Sequence, residues 1–312
     1  MNNKVFVLYE NADWLPALKD TFSEEGLSFE PWFVDESTID IDQEPPQGIY
    51  LNRLSASAAT RQHEYSLLSG QRVIEWLEAW GRTVINGSSA IALEQSKFKQ
   101  HLLMKKHNIK TPASIFIAGE EKQLKLAQQK IPFPLIYKYD CGGKGLGVKL
   151  IQNQGQWQDF LDQKSWQEAP GLRHVLQSYI KPKEPFITRC EFIGGKLHYA
   201  IKADTSQGFE LCPAEACRID ICQTDAKSQS LFTIRNELNP SLIKSYEAML
   251  NDAQISIAGV EFIESVDNET YTYDINCNTN YSPAIEEDKS VEPGLKRVAN
   301  FLKESMGKGN LT

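Results

Sequence analysis

The stretch from Gly259 to Asn276, GVEFIESVDNETYTYDIN, constrains this chain more than any other, because it reads as one hairpin with its chemistry on a single face. Val260 and Phe262 alternate with polar residues, as do Tyr271, Tyr273 and Ile275, and Asp267-Asn268 is a turn pair between the two runs. A turn centred on that pair sets Glu261 directly opposite Asp274. Side chains so paired lie about 5 Å apart, and two carboxylates at that distance repel unless a cation lies between them. Asn276 falls on the same face as Asp274. A few hard oxygen donors, completed by water and phosphates, suit Mg²⁺ held on a nucleotide; the alternative is a solvated face with scattered acids.

A chain of 312 residues is long enough for two or three domains around separate cores. Hydrophobic residues at 41% and charged residues at 24% fit a folded globular protein and exclude disorder. The net charge of -8, with lysines and arginines dispersed, argues against a nucleic-acid partner, which needs a basic surface. After Met-Asn-Asn-Lys the apolar run Val-Phe-Val-Leu-Tyr is too short for a signal segment or a membrane span. A cytoplasmic protein with no membrane partner is expected. The six cysteines, at 141, 190, 212, 217, 222 and 277, form no Cys-x-x-Cys pair and have no zinc-knuckle spacing, so free thiols are expected.

Strand and helix patterns alternate over the first 90 residues: strands at 4–10, 29–34, 49–51 and 83–85, and helices over 14–22 and 64–80. This predicts a small, mostly parallel α/β domain, with Arg53 and Ser55 facing a ligand crevice at the carboxyl ends of its strands. A helix over 93–107 opens the next unit, followed by strands at 114–118, 135–139 and 148–150 and helices near 122–130 and 156–161. From Val175 onward the pattern becomes antiparallel, with Gly194-Gly195 as a two-residue hairpin turn. Asn239-Pro240 caps and starts a helix that reaches Leu250, and a last helix lies near Pro293.

Strand 135–139 carries Lys138 and runs into Tyr-Asp-Cys-Gly142-Gly143-Lys144-Gly145-Leu-Gly147. Backbone amides freed by glycine can close over phosphate oxygens, and Lys144 adds charge. This is neither a Walker loop nor the dinucleotide fingerprint, since no helix follows; a plain glycine-rich hairpin is the other reading. Lys97 stands in the first turn of the 93–107 helix. Gln177-Ser178-Tyr179-Ile180 follows the strand at 175–176 and leads to Lys181-Pro182, either as a connector between lobes or as a simple β-edge to loop transition. Arg189 interrupts an apolar strand, so it must pair or point into a cleft, where its planar fork suits phosphate or carboxylate.

Taken in order, the Lys97 helix, the Lys138 strand, the glycine loop, Gln177-Ser-Tyr-Ile180, the Arg189 strand, Gly-Val-Glu261 and Asp274-Ile-Asn276 resemble the ATP-grasp superfamily. Within it the chain is similar to the group of the ribosomal-protein glutamate ligase RimK, over nearly its whole length. The resemblance implies the ATP-grasp fold, in the α/β class, with an amino-terminal Rossmann-like domain over 1–90, a central lid over 91–178 and a carboxyl-terminal lobe over 179–312. It implies ATP with Mg²⁺ or Mn²⁺. Lys97 and Lys138 would hold phosphates under the glycines and Lys144, and Gln177, Ser178, Tyr179 and Ile180 would surround adenine. Glu261, Asp274 and Asn276 would ligate the metal, and Arg189 and Lys202 would act as catalytic cations.

Two departures bear on the substrates. The family's ribose carboxylate, two positions before Arg189, is Ile187 here, which turns attention to Glu184. After Asn276 the chain reads Cys-Asn278-Thr-Asn280-Tyr-Ser-Pro in place of the shorter Asn-x-x-Pro, so Asn278, Asn280 and Tyr281 would shape the acceptor site beside Arg53 and Ser55. The implied reaction is carboxylate–amine ligation through an acyl phosphate, on small-molecule or peptide substrates. A small-molecule kinase and a non-catalytic nucleotide-binding regulator are the alternatives, and self-association stays open.

Overall fold

The computed structural model describes residues 4–206, 232–281, 283–286 and 291–308. Strands β1 (Lys4–Tyr9), β2 (Ser28–Phe33), β3 (Ile49–Asn52) and β4 (Thr83–Ile85) form a wholly parallel sheet in the order β2-β1-β3-β4. Helices α1 (Leu15–Glu24) and α2 (Ser66–Ala79) cover its two faces. Strand alternation explains this: Val5 and Val7 of β1 pack in the cluster with Leu18 and Phe22 of α1, while Phe6 and Leu8 pack in the one with Val73 and Leu77 of α2.

The helix expected over 93–107 is two helices, α3 (Ser88–Glu94) and α4 (Lys97–Lys106). Ser96 takes an extended backbone, φ -155° and ψ 109°, and its hydroxyl accepts from the Lys99 N–H, so the second helix begins with its own cap. Then follow β5 (Ser114–Ala118), α5 (Glu121–Gln128), β6 (Leu135–Tyr139), β7 (Lys149–Ile151), α6 (Gln154–Gln163) and β8 (Arg173–Ser178). Their strands make an antiparallel sheet in the order β5-β8-β6-β7, over a core that includes Leu124, Trp157, Phe160 and Leu176. β8 runs to Ser178, beyond the expected end at 176, because Gln177 and Ser178 still pair with Ile136 and Leu135.

The third sheet has the order β11-β10-β9-β12-β13, from β9 (Phe186–Ile193), β10 (Lys196–Asp204), β11 (Phe232–Ile234), β12 (Ile257–Glu264) and β13 (Thr270–Asn276). Gly194 and Gly195, with φ of 65° and 69°, make the tight turn between β9 and β10. Helix α7 (Pro240–Asp252) starts at Asn239, whose side chain accepts from the Ser241 N–H at 2.9 Å. The short α8 (Pro283–Glu286) and the closing α9 (Gly294–Lys308) follow.

The first and third units share a core in which Val5 and Leu18 meet Ile193, Ile257, Val298 and Leu302. Asn86 stitches them further, donating to the Ile257 and Cys277 carbonyls at 2.6 Å each and accepting from the Ile257 N–H at 3.1 Å. The central antiparallel sheet keeps its own core. Cys141, Cys190 and Cys277 are free thiols; Cys212, Cys217 and Cys222 lie outside the described residues. Among the described residues no helix is long and apolar enough to cross a membrane.

Candidate active site

Arg189 of β9, Glu261 of β12 and Asp274 of β13 stand in register across three adjacent strands. Directly opposed residues share a face, so the sheet carries a row of one cation and two anions. Lys97, at the start of α4, closes the row with an ion pair to Asp274. Arg189 donates to Glu261 at 2.9 Å, to Glu191 at 2.6 Å and to the Thr279 hydroxyl at 2.7 Å. The Tyr273 hydroxyl donates to the other Glu261 oxygen at 3.0 Å, and the Asn276 amide donates to Glu261 at 3.2 Å.

Two nearby carboxylates in a buried setting separate in acidity. Burial raises the pKa of Glu261, and Asp274 adds to this against the opposing pull of Arg189. Burial acts the same way on Asp274, but Lys97 and Lys138 outweigh it and hold that carboxyl below its ordinary value. Burial lowers Lys97, yet Asp274, Glu94 and Glu261 together raise it, so it keeps its charge. Lys138, 7% exposed, is brought down to about 8 by burial and by the charge of Lys97. Its ammonium donates to Gln177 Oε1 at 3.1 Å.

Asp140, the residue after β6, fixes one lysine against the other. Its carbonyl accepts from the Lys97 N–H at 2.8 Å, and its carboxylate accepts from the Phe98 N–H at 2.9 Å and the Ser96 hydroxyl at 3.0 Å. The start of α4 is thereby pinned to the end of the strand that carries Lys138. The glycine loop continues from Asp140 over the row: Gly142, Gly143, Lys144 and Gly145 line one cleft with Lys97, Lys138, Arg189, Glu261, Asp274 and Asn276. A Cβ on Gly143 would sit 2.9 Å from the Ser57 nitrogen, so the loop touches the amino-terminal unit backbone to backbone. Gly147 is not among the lining residues; with φ +72° it lies against the Tyr139 ring, 2.5 Å from where its Cβ would be.

A second, more apolar hollow, lined by Tyr179, Ile180, Ile187, Leu150 and Ile263, adjoins the cleft at Ile136, which lines both. Ser178 stays in the ladder, its N–H bonded to Ala113, and Glu184 is exposed, with Pro182 and Pro185 beside it lining the hollow. Lys202 pairs with Thr188, one position off the Arg189 register, so strand alternation turns it to the opposite face, where its ammonium lies 4.4 Å from the Phe186 ring centroid. Arg53, Asn278 and Asn280 do come together. The buried Arg53 guanidinium bonds the Thr279 carbonyl at 2.6 Å and the Asn280 side chain, and Asn278 donates to the Arg53 carbonyl at 3.0 Å. Ser55 contacts Ser57 at 2.9 Å in the same turn.

Sequence reasoning passed over Asp140, Glu191, Thr279, Tyr273 and Glu94. Glu94 is buried and accepts from Ala56 N–H at 2.9 Å and Cys277 N–H at 2.8 Å, tying the Ser55–Ser57 turn to the loop after β13. Thr279 and Glu94 find their partners far along the chain, whereas Glu191 lies two residues after Arg189 on the same strand face, and that spacing, like the position of Asp140 directly after the lysine strand, was a local signal.

An antiparallel lid over a sheet bearing this row, with Lys97 of α4 and Lys138 of β6 converging on it, defines the class of nucleotide-grasping enzymes, and residues 94–292 match the model of the RimK-like ATP-grasp domain. The chain belongs to that family. It is 30% identical over 166 residues to the glutamate–LysW ligase ArgX of Sulfurisphaera tokodaii, covering 53% of this chain and 57% of that protein. It is 24% identical over 231 residues to the probable alpha-L-glutamate ligase of Pseudomonas aeruginosa, covering 73% and 66%. The chain thus spans less than two thirds of the length of either relative. Among solved structures, D-cycloserine synthetase DcsG superposes with a TM-score of 0.68 at 15% identity, covering 97% of this chain and 99% of the other. A RimK domain ATP-grasp protein from Sphaerobacter thermophilus gives 0.65 at 15% identity, covering 96% and 99%. These share the ATP-grasp fold.

Proposed function

We propose that this chain is an ATP-dependent ligase that joins a carboxylate to an amine. The observation that carries the reading is the Arg189–Glu261–Asp274–Lys97 row beneath a glycine loop, beside an apolar hollow of the right character for a base. In this reading residues 1–90 supply substrate contacts, 91–178 the lid and 179–312 the row. Tyr179, Ile180 and Ile187 enclose adenine, and Lys97, Lys138 and the loop amides take the phosphates.

The donor set fits Mg²⁺. Glu261, Asp274 and Asn276 offer hard oxygens to one cleft, and among the described residues no group of three or more His, Cys, Asp or Glu gathers to hold a metal alone. Glu261 and Asp274 are directly opposed on one face of the sheet, the spacing at which two carboxylates can share a metal with phosphates. Mg²⁺ bound there supplies charge neutralisation to the phosphates.

The chemistry is phosphoryl transfer by positioning, without a protein nucleophile. A substrate carboxylate oxygen bonds to the γ-phosphorus as the bond to ADP breaks, giving an acyl phosphate. An amine nitrogen then attacks the acyl carbon and loses a proton as phosphate leaves. Lys97 and Lys138 hold phosphate oxygens through the first step. Arg189, fixed by Glu191, Glu261 and Thr279, faces the charge that develops in the second. The loop excludes water from the reactive anhydride.

Hydroxylamine tests the reading, because it intercepts an acyl phosphate as a hydroxamate. The two relatives are named as glutamate ligases, so L-glutamate is the first acid to offer. The expected result is a hydroxamate formed with one ADP per product. A stable phosphate ester and no hydroxamate from the acid that stimulates ADP release would replace the ligase by a kinase.

A further inference from the structure

Arg53 and Arg189 belong to different units, yet one residue of the loop after β13 bonds both. The Thr279 carbonyl accepts from Arg53 Nη1 at 2.6 Å, and the Thr279 hydroxyl accepts from Arg189 Nη2 at 2.7 Å. Thr279 is 1% exposed and Arg53 6%, so protein seals this bridge from water. Its amino-terminal end is firmly held. Arg53 follows β3 directly, and its N–H bonds the Leu8 carbonyl of β1 at 2.9 Å. Nη2 of Arg53 bonds the Asn280 side chain, Asn278 donates to the Arg53 carbonyl at 3.0 Å, and the Trp14 ring lies 5.4 Å from the guanidinium. Asn278, Thr279 and Asn280 thus all fasten onto one arginine of the amino-terminal unit.

At the other end the Thr279 hydroxyl donates to Glu191 Oε2 at 2.8 Å, while Glu191 Oε1 accepts from Arg189 Nε at 2.6 Å. The three side chains close a ring. A hydroxyl carries one donor and two acceptor sites, so this single oxygen can accept from the guanidinium and donate to the carboxylate at once. A methyl group can do neither. Nε and Nη2 form one edge of the planar guanidinium, which Glu191 and Thr279 grip, and Nη1 donates to Glu261. With an acceptor on each nitrogen, both the plane of the group and its rotation are set. Glu191 and Glu261 stand on strands of the same sheet as Arg189, whose ladders fix them. Thr279 stands on a loop, and the bond to its carbonyl comes from Arg53.

We infer that Arg53 and Thr279 are positioning residues for Arg189: Arg53 acts on the reaction through Thr279, so that the amino-terminal unit sets the orientation of the guanidinium. The inference rests on the ligase reading for the role of Arg189, and on the bonds above for its geometry. Misplacing a group by about 1 Å can cost on the order of a hundredfold in rate. Lys97 and Lys138, which take the phosphates in that reading, make no bond to Thr279. The loss of its hydroxyl therefore falls on kcat and spares KM for ATP.

The experiment isotope-labels the full chain at arginine Nε and follows the exchange with water of the Arg189 Nε–H, assigned as the signal that Arg189→Lys removes. Bonded to Glu191, that proton should exchange slowly. Thr279→Val, close in shape but without the hydroxyl, should speed its exchange at least tenfold, and Arg53→Lys, which keeps the charge but loses the planar fork, should do the same. Thr279→Ser should restore slow exchange to within threefold of the native chain. In hydroxamate formation with L-glutamate, or with whichever acid the native chain accepts, Thr279→Val should lower kcat at least tenfold and leave KM for ATP within threefold. Native exchange or native kcat in Thr279→Val overturns the inference. So does Thr279→Ser exchanging as fast as Thr279→Val while keeping the native melting transition. Should Thr279→Val lose that transition, Arg53→Lys decides, and native exchange there overturns the inference. If the native chain gives no hydroxamate with any acid, the ligase reading falls instead, and the exchange rates alone decide whether Arg53 and Thr279 orient Arg189.

Discussion

The guanidinium of Arg189 lies against the open side of Gly259, so closely that a Cβ there would sit 2.6 Å from Nη2 and 2.7 Å from Nε. A glycine inside a strand weakens the strand unless something must approach its backbone, and here Arg189 is what approaches. The arginine cannot swing aside freely, because Glu191, Glu261 and Thr279 hold it on three sides. Gly259→Ala is therefore expected to cost about 1–3 kcal/mol of stability by overpacking and to displace the guanidinium. Turnover should fall at least tenfold, as ADP-release assays would report; full activity in the variant would remove Arg189 from the reaction.

Asp274→Asn should abolish turnover and leave the fold intact. The side chain serves charge at the end of the row, and its loss leaves Lys97 without its partner and the metal site one anion short. Circular dichroism and melting would report the fold. ADP release near the wild-type rate at saturating Mg²⁺ would sink the metal assignment.

Lys138 links nucleotide binding to pH with a predictable sign. Burial and Lys97 hold it at about 8, against an ordinary 10.5, so raising the pH through about 8 discharges it in the folded chain. Affinity for an ATP analogue should fall by about tenfold as that charge is lost, the worth of a hydrogen bond to a charged group. Folding responds in the opposite sense. Between about 8 and 10.5 the unfolded chain holds the proton that the native chain has released, so this lysine's contribution to stability rises with pH. Calorimetry on either side of that window, with Lys138→Met as control, distinguishes the cases; an identical pH dependence in the variant returns Lys138 to a structural role.

Gly143→Ala addresses the loop. The added methyl would meet the Ser57 backbone at 2.9 Å, and a backbone nitrogen cannot step aside as a side-chain tip can. The loop should close incompletely, with turnover lowered about tenfold or more by misplacement over the reacting groups. ATP hydrolysis uncoupled from amide formation would rise, and equal coupling in variant and wild type would show that the contact does not seal the site.

Local pattern determined much of this. Alternation in β1 and in the two arms of the metal hairpin, the Gly194-Gly195 turn and the Asn239-Pro240 start all depend on residues within a few positions of one another, and the structure follows them. The pairing of Glu261 with Asp274 was also legible, though for an incomplete reason. The turn does not close on Asp267-Asn268 as a two-residue loop: the Ser265 N–H bonds the Glu269 carbonyl at 2.8 Å, and Asn268 is left-handed at φ 59°. This shifts Phe262 onto Thr272, and a bulge at Tyr273 then restores Glu261 to Asp274. The same bulge redirects Tyr273, whose hydroxyl bonds Glu261.

Which residues carry charge, and which face of a local element they occupy, can be read from neighbours along the chain. Which of those faces meet depends on packing between distant elements. Lys97 and Asp274 are 177 residues apart, and Arg53 and Asn280 are 227 apart. Lys202 and Arg189 lie on paired strands but on opposite faces, because a register offset of one residue reverses a side chain. No local pattern encodes such meetings. They are fixed by the packing of three sheets and by single polar residues, Asn86, Glu94 and Asp140, which bond backbone groups far along the chain because a buried amide or carbonyl must find a partner somewhere.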